Sequence, residues 1–172
     1  PAPPPPPRWV FETLLPWEKL EEGLQLGLFS AQFDGGDPFE VVFLRIDPAY
    51  FDFTVETASS EKQSLPLEAW ATRKGLIAAT NASMYLPDGV TSTGYLRTGE
   101  TANNGRVVPK FGAFFVAGPD SPDLPGADLL DRSTDDWENL LPHYSMVVQN
   151  YRMISADRRL LWKPGGPKHS LS

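Results

Sequence analysis

The chain has 172 residues, of which 41% are hydrophobic, with five Trp and no Cys; this suffices for one sizeable core and excludes disulfides, thiolate metal sites and cysteine nucleophiles. Fifteen Lys and Arg against 22 Asp and Glu give a net charge of -7, so nucleic acid and anionic membrane surfaces are not expected partners. No apolar run approaches the roughly 18 residues that span a bilayer, so no transmembrane segment is expected.

Pro1-Ala2-Pro3-Pro4-Pro5-Pro6-Pro7 opens the chain as an extended, semi-rigid spacer. Residues 1–16 are therefore expected to form a proline-rich arm ahead of a domain over 17–172. A start without an initiator Met suits a processed export precursor, which predicts a secreted or periplasmic protein. Trp9 to Leu14 and Trp17 to Leu20 supply aromatic anchors, and Gly23 to Phe29 alternates like a half-buried strand. Phe33-Asp34-Gly35-Gly36-Asp37-Pro38 is dense in turn formers, and Glu40 to Ile46 is β-branched and aromatic enough for a central strand. After Asp47-Pro48, the segment Phe51 to Thr57 alternates strictly, which predicts the third strand of an antiparallel meander.

The period changes at Pro66 to Gly75: Pro in the first turn, good helix formers, basic residues in the last turn and Gly just beyond predict a helix. Its face of Leu67, Trp70 and Ala71 is expected to cover a sheet. Leu76 to Ala79 then reads as a buried strand that ends in Thr80-Asn81-Ala82-Ser83-Met84-Tyr85 and turns at Leu86-Pro87-Asp88-Gly89. Amide, hydroxyl and aromatic groups gathered at a sheet edge suit sugar recognition, although a satisfied Asn in a turn has the same pattern. Phe111 to Val116 reads as a strand and Pro119 to Asp131 as a surface loop. Ser133 to Leu141 reads as a helix capped at its start and stopped by Pro142, and Ser145 to Ile154 as a hairpin across Asn150-Tyr151.

Several chemistries are excluded by inspection. The chain has no Gly-x-Ser-x-Gly and no His-Glu-x-x-His, and Gly89 to Gly94 is followed by Tyr95-Leu96 where a phosphate loop needs Lys and a hydroxyl. His143 and His169 are too few for a histidine-rich metal site. The acidic residues Asp131, Asp135, Asp136 and Glu138 lack the spacing of a calcium loop and read as a solvated helix start. Neither metal nor cofactor is expected. A glycosidase needs two carboxyl groups about the scissile bond, and Asp47, Asp88 and Glu100 are candidates that the sequence does not separate. Asn81-Ala82-Ser83 matches a glycosylation acceptor, but the exit of a buried strand is a poor place for a glycan. Asn81 to Tyr85, Thr93 to Leu96 with Asn103-Asn104-Gly105, and Gln149 to Arg152 could line one cleft, the amides binding hydroxyls and Arg152 an anion. Asn103 and Asn150 also fit simple hairpin turns.

The order of these motifs resembles the phosphodiester glycosidase family, which includes the lysosomal uncovering enzyme and many exported bacterial proteins. The resemblance rests on Arg45-Ile46-Asp47-Pro48, and on Asn81-Ala82-Ser83-Met84-Tyr85 standing for the family's Asn-(Gly/Ala)-Gly-(Phe/Met)-(Phe/Tyr). Gly94-Tyr95-Leu96 with Gly99, Asn104, and Val147 to Ile154 complete it, so that it spans about residues 20 to 172. It implies an α+β domain with a mixed, largely antiparallel sheet and a few flanking helices, hydrolysing the bond between a sugar's anomeric carbon and a phosphodiester. Asn81, Arg152 and His169 would be catalytic, with Arg152 on the phosphate. Tyr85, Gly94, Asn104, Gln149 and Asn150 would bind the substrate. The family continues through a further strand and an acidic Gly-Gly motif, whereas the sequence ends at Lys168-His169-Ser170-Leu171-Ser172. A complementary C-terminal polypeptide is therefore an expected partner, beside a carbohydrate or sugar-phosphate ligand. The competing expectation is a noncatalytic extracellular glycan-binding or assembly module.

Overall fold

The computed structural model describes residues 8–58, 64–155, 157–159 and 161. It divides into two compact units, residues 1–51 and 52–172, and the two antiparallel sheets with short helices among the described residues make an α+β, largely sheet fold, as expected.

The first unit is a three-stranded sheet in the order β1-β2-β3, with β1 at Trp9–Glu21, β2 at Leu24–Phe33 and β3 at Phe39–Ile46. Gly23 makes the first turn at φ 78, where an added Cβ would lie 2.7 Å from Tyr50 Cβ, so the position excludes a side chain on both counts. Asp34 and Gly35, both at positive φ, make the second turn. The β1–β2 register shifts between Thr13 and Leu15 and again before Glu18, and Pro16 falls in this irregular stretch of an edge strand, where a missing N–H is tolerated. The meander thus has three strands, but its third member is Trp9–Glu21 rather than Phe51 to Thr57. The second half of the segment expected as an arm is sheet, while residues 1–7 lie outside the described residues. Trp9 packs on Phe11, Phe33 and Phe39 at 6.0, 4.9 and 6.1 Å, and all four rings are exposed.

The second unit holds a five-stranded sheet in the order β5-β4-β8-β6-β7. Its strands are β4 Leu96–Thr98, β5 Thr101–Asn104, β6 Ala113–Pro119, β7 Ala127–Asp131 and β8 Tyr144–Asn150. The central strand β8 is buried on both faces, which explains its unbroken apolar run. Val147 joins Phe114, Val116, Leu130, Leu141 and Tyr144 in one cluster, and Met146 and Val148 join Val55, Leu96 and Ala117 in another. Phe51 to Thr57 forms no strand; instead Val55 is buried in this second cluster and Phe53 meets Phe115 edge-on at 5.4 Å.

Helix α1, Leu67–Lys74, ends as expected, with Gly75 at φ 64 donating its N–H to the Ala71 and Thr72 carbonyls. None of its residues is buried, so the expected packing of Leu67, Trp70 and Ala71 on a sheet is not found; Lys74 ties it instead to Glu56. Leu76 to Ala79 is not a strand and is not buried, Ile77 being 64% exposed. Helix α2 covers only Trp137–Leu140, followed by a 3-10 turn at Leu141–His143. Ser133 does not cap it, because the Ser133 N–H and hydroxyl both donate to Asp131, and Pro142 sits in the first turn of the 3-10 segment instead of stopping a helix. Part of the expected loop, Ala127–Asp131, is the edge strand β7. The chain does not turn back at Asn150-Tyr151: Tyr151 leaves the sheet and packs edge-on against Phe111 at 4.6 Å.

Candidate functional site

The register gathers most of the expected site residues at one end of the five-stranded sheet. Leu96 of β4 lies opposite Asn104 of β5 and Val148 of β8, while Ala113 of β6 lies opposite Asn150 of β8 and Asp131 of β7. The segment from Asn81 to Thr93 folds over this end. Tyr85 bridges to Ser92, the Thr93 N–H donates to the Met84 carbonyl, and the Leu86 and Thr91 backbones bond at 2.8 Å. Its turn is held by Asp88, whose carboxylate accepts the Val90 and Thr91 N–H groups and the Thr91 hydroxyl. Those three bonds, the Thr91 hydroxyl first, hold the Asp88 carboxyl below its usual range.

Asparagine amides attach this hairpin to the sheet. Asn103 accepts the Ser92 N–H at 2.7 Å and donates to Val90, and Asn104 donates to the Ser92 carbonyl at 2.7 Å while accepting the Arg106 N–H. Ser83 and Ser92 share a hydroxyl bond of 2.7 Å, and Asn150 Nδ2 donates to the Ala82 carbonyl at 3.3 Å. Asn81 and Tyr85 are left exposed on the outer side, so the side chain of Asn81 is not confined at the end of a buried strand.

Three of the expected binding residues are engaged within the fold. Gln149 is fully buried; its Oε1 accepts from Tyr95 and Val108 N–H, and its Nε2 donates to the Val108 and Phe111 carbonyls. Two acceptor sites and two donors are the whole capacity of the amide, which leaves nothing for a substrate. Gly94 does permit a close approach, but by the chain itself: a Cβ there would lie 2.6 Å from the Gln149 carbonyl oxygen and 2.9 Å from the Phe111 ring. Asn104 is likewise occupied at both ends of its amide.

Arg152 is in the same region, and its charge is already met. Nη1 donates to both carboxylate oxygens of Asp131 at 2.5 and 2.6 Å and to the Ser133 hydroxyl. Burial works to raise the Asp131 pKa, but the bonds from Arg152 and Ser133 and the Arg152 charge outweigh it and hold the carboxyl below its usual range. Asp131 is therefore a buried counterion and not part of a solvated helix start. The signal that could have found it is Asp131-Arg132-Ser133, an acidic residue followed two positions on by a hydroxyl, which favours a side-chain turn. His169 lies outside the described residues. No group of three or more His, Cys, Asp or Glu able to hold a metal occurs among the described residues. No helix among them is long and apolar enough to cross a membrane. A shallow cavity of about 420 Å³ beside Tyr95, Arg97, Trp137 and Leu141 includes Tyr95 of the expected cleft segments but none of the residues expected to be catalytic or substrate-binding, and its Arg97 is bonded to the Gly99, Leu141 and Tyr144 carbonyls. Comparison with protein-family models, curated proteins and solved structures gives no match.

Proposed function

We propose that the sheet end bearing Asn81, Tyr85 and Asn150 is the carbohydrate side of a phosphodiester glycosidase-type site. It would act on an exported or cell-envelope glycan and hydrolyse the bond between the anomeric carbon and a phosphodiester. The observation that carries this reading is the bond from Asn150 to the Ala82 carbonyl. It holds an exposed amide and an exposed aromatic ring, on Asn81 and Tyr85, over the end of the sheet, a combination suited to a sugar's hydroxyls and its apolar face. Glycoside hydrolysis also requires an acid and a base or nucleophile. At this end Asp88 closes its own turn and Asp131 neutralises Arg152, so the reading assigns the reacting carboxyl groups to a complementary polypeptide. The Arg152–Asp131 pair favours a second reading, a noncatalytic glycan-binding module, because it leaves that guanidinium no net charge to offer.

The test is release of free sugar from a synthetic sugar 1-(aryl phosphodiester) by the chain with and without a polypeptide that continues the family pattern. Turnover in the mixture that falls about tenfold or more in Asn81→Ala, at unchanged melting temperature, is the expected result. Sugar binding at Asn81 and Tyr85 without turnover in any mixture selects the module. Absence of both binding and turnover overturns the carbohydrate reading.

A further inference from the structure

We infer that one face of the three-stranded sheet is a docking surface for a second copy of this chain, the two forming a closed, face-to-face dimer. The ladder register sorts the side chains of β1, β2 and β3 between the two faces, because paired residues share a face and neighbours along a strand alternate. Trp9, Phe11 and Thr13 pair with Phe33, Ala31 and Phe29, while Ala31, Phe29 and Gly27 pair with Phe39, Val41 and Phe43. Trp17 joins this face by its contact with Phe29 at 5.9 Å, and Phe43 meets Phe29 at 5.4 Å. Gly27 makes room for them: an added Cβ would lie 2.9 Å from the Phe29 ring and 3.1 Å from that of Trp17. Every aromatic ring of the three strands therefore lies on one face.

Charge is sorted in the opposite sense. The carboxylates of the three strands belong to Glu12, Glu18, Glu21 and Glu40, and all fall on the other face. Glu12 and Glu40 lie opposite Ser30, Glu18 opposite Leu26 and Glu21 opposite Leu24. The aromatic face has Lys19 and Arg45 at one end, both in register with Gln25. Lys19 pairs with Glu22, and Arg45 lies 4.3 Å over Trp17 and donates to Gln25. Two chains of net charge -7 repel wherever carboxylates meet, so the glutamate-bearing face turns a copy away and the aromatic face does not. The same sorting closes the assembly at two, since the outer faces of the pair are the glutamate-bearing ones.

The area suits this occupant. Trp9, Phe11, Trp17, Phe33, Phe39 and Phe43 are between 37% and 62% exposed, which at about 200 Å² per aromatic side chain is roughly 600 Å² of ring per copy. A pair would bury about 1,200 Å², the lower end of specific interfaces. Two such faces stack as the layers of a sandwich do, about 10 Å apart with interdigitating rings. At that end of the scale the Kd is about 10–100 μM, so in dilute solution the chain is a monomer and its rings are wet. The residues assigned to the carbohydrate, Asn81, Tyr85 and Asn150, belong to the other unit, and their reading stands or falls separately.

The experiment is sedimentation equilibrium of the full chain from about 1 to 500 μM, on wild type, Thr13→Glu, Thr13→Val, Phe11→Ala and Val42→Glu. Wild type is expected to pass from monomer to dimer with no larger species. It should associate several-fold more tightly in about 0.5 M than in about 0.05 M NaCl, as salt screens the repulsion between the two net charges. Thr13→Glu places a carboxylate beside Phe11 and Phe29 and should weaken the dimer about tenfold or more. Phe11→Ala should weaken it several-fold, and Thr13→Val should not weaken it. Val42→Glu, at a position 60% exposed on the opposite face, should leave the dimer as it is. Circular dichroism at about 1 μM checks each monomer's fold, and Phe11→Ala carries the test if Thr13→Glu does not fold. A chain that stays monomeric throughout overturns the inference and gives the face to another segment of the chain or to a different protein. A dimer weakened equally by Thr13→Glu and Val42→Glu also overturns it. So does one that neither Thr13→Glu nor Phe11→Ala weakens, which would be paired through strand edges, and so does growth beyond two copies.

Discussion

In the five-stranded sheet the central strand places Val147 and Gln149 at 0% exposure, and Phe114 and Val116 beside it are equally enclosed. In the three-stranded sheet only Leu24, Gly27 and Ala31 are buried, while Trp9, Phe11, Phe33 and Phe39 remain between 42% and 62% exposed. Both sheets are rich in large apolar residues and both are paired antiparallel throughout their ladders. They differ in whether a second layer excludes water. Apolar content supplies stability only in proportion to area removed from solvent, so the aromatic cluster about Trp9 contributes ring contacts and little burial. A polar residue follows the same logic reversed: Gln149 is tolerated in the enclosed sheet because every one of its hydrogen-bonding sites is matched.

The largest effects should therefore fall on one side of this comparison. Phe114→Ala is expected to lower stability by about 3–5 kcal/mol, the usual range for removing a fully enclosed ring. Phe11→Ala, at 62% exposure, should change it by less than about 1 kcal/mol. Urea unfolding of the two variants checks this, and equal losses would mean that water does not reach the Trp9 cluster in solution. Gly94→Ala comes next, at about 2–3 kcal/mol, because its new methyl group meets the Gln149 carbonyl and a fixed Phe111 ring, neither of which yields easily. A stable Gly94→Ala protein would show that the β8 end is looser than its hydrogen bonds indicate.

Much of the fold can be read from local pattern where local pattern decides it. Pro66, the basic last turn and Gly75 specify α1 without help from elsewhere, and Asp34-Gly35 with the runs on either side specifies the β2–β3 hairpin. The failures arise where partners far along the chain decide. Phe51 to Thr57 alternates well, yet it does not pair with β3; the third strand is Trp9–Glu21, which lies along the opposite edge of β2 and whose Pro16 and bulges obscure its period. Leu76 to Ala79 is apolar enough for a strand but has no ladder to join. At the candidate site the sequence picked out residues that the fold gathers at one end of the sheet, but not the groups that Gln149, Gly94 and Arg152 meet there. Their partners lie 41, 54 and 21 residues away for the Gln149–Val108, Gln149–Tyr95 and Arg152–Asp131 contacts, and no spacing rule reaches so far.

The ion pair of the enclosed sheet offers a smaller effect with a distinctive pH signature. Arg152→Ala should cost about 1–2 kcal/mol near neutrality, because Asp131 is mostly sheltered while Arg152 remains partly wet. The Asp131 pKa is depressed in the folded state, so its contribution is fully present above the ordinary carboxylate pKa of about 3.9 and is lost as pH falls through the lower folded value. Removing Arg152 removes part of that depression. Stability measured from neutral pH downward should therefore fall less steeply in the variant than in wild type. An unchanged slope would locate the acid sensitivity in other carboxylates.

The smallest expected effect separates the hairpin that carries Asn81 and Tyr85 from the sheet beneath it. Asp88 is exposed and closes the turn through the Thr91 hydroxyl and the Val90 and Thr91 N–H groups, with its carboxyl held below the usual range. The sign is the same as for Asp131: the turn is held above the ordinary carboxylate pKa and loosens as pH falls through the depressed one. Asp88→Ala should therefore speed hydrogen exchange at Val90 and Thr91 while leaving the exchange of Val147 and Val148 in β8 unchanged. If the β8 amides also lose protection, the hairpin and the enclosed sheet form one cooperative unit, and the asparagine bonds from Asn103, Asn104 and Asn150 transmit the turn's order into the core. If only the turn responds, those bonds position the Asn81 loop without sharing its stability, and a ligand can reshape that loop at little cost to the sheet.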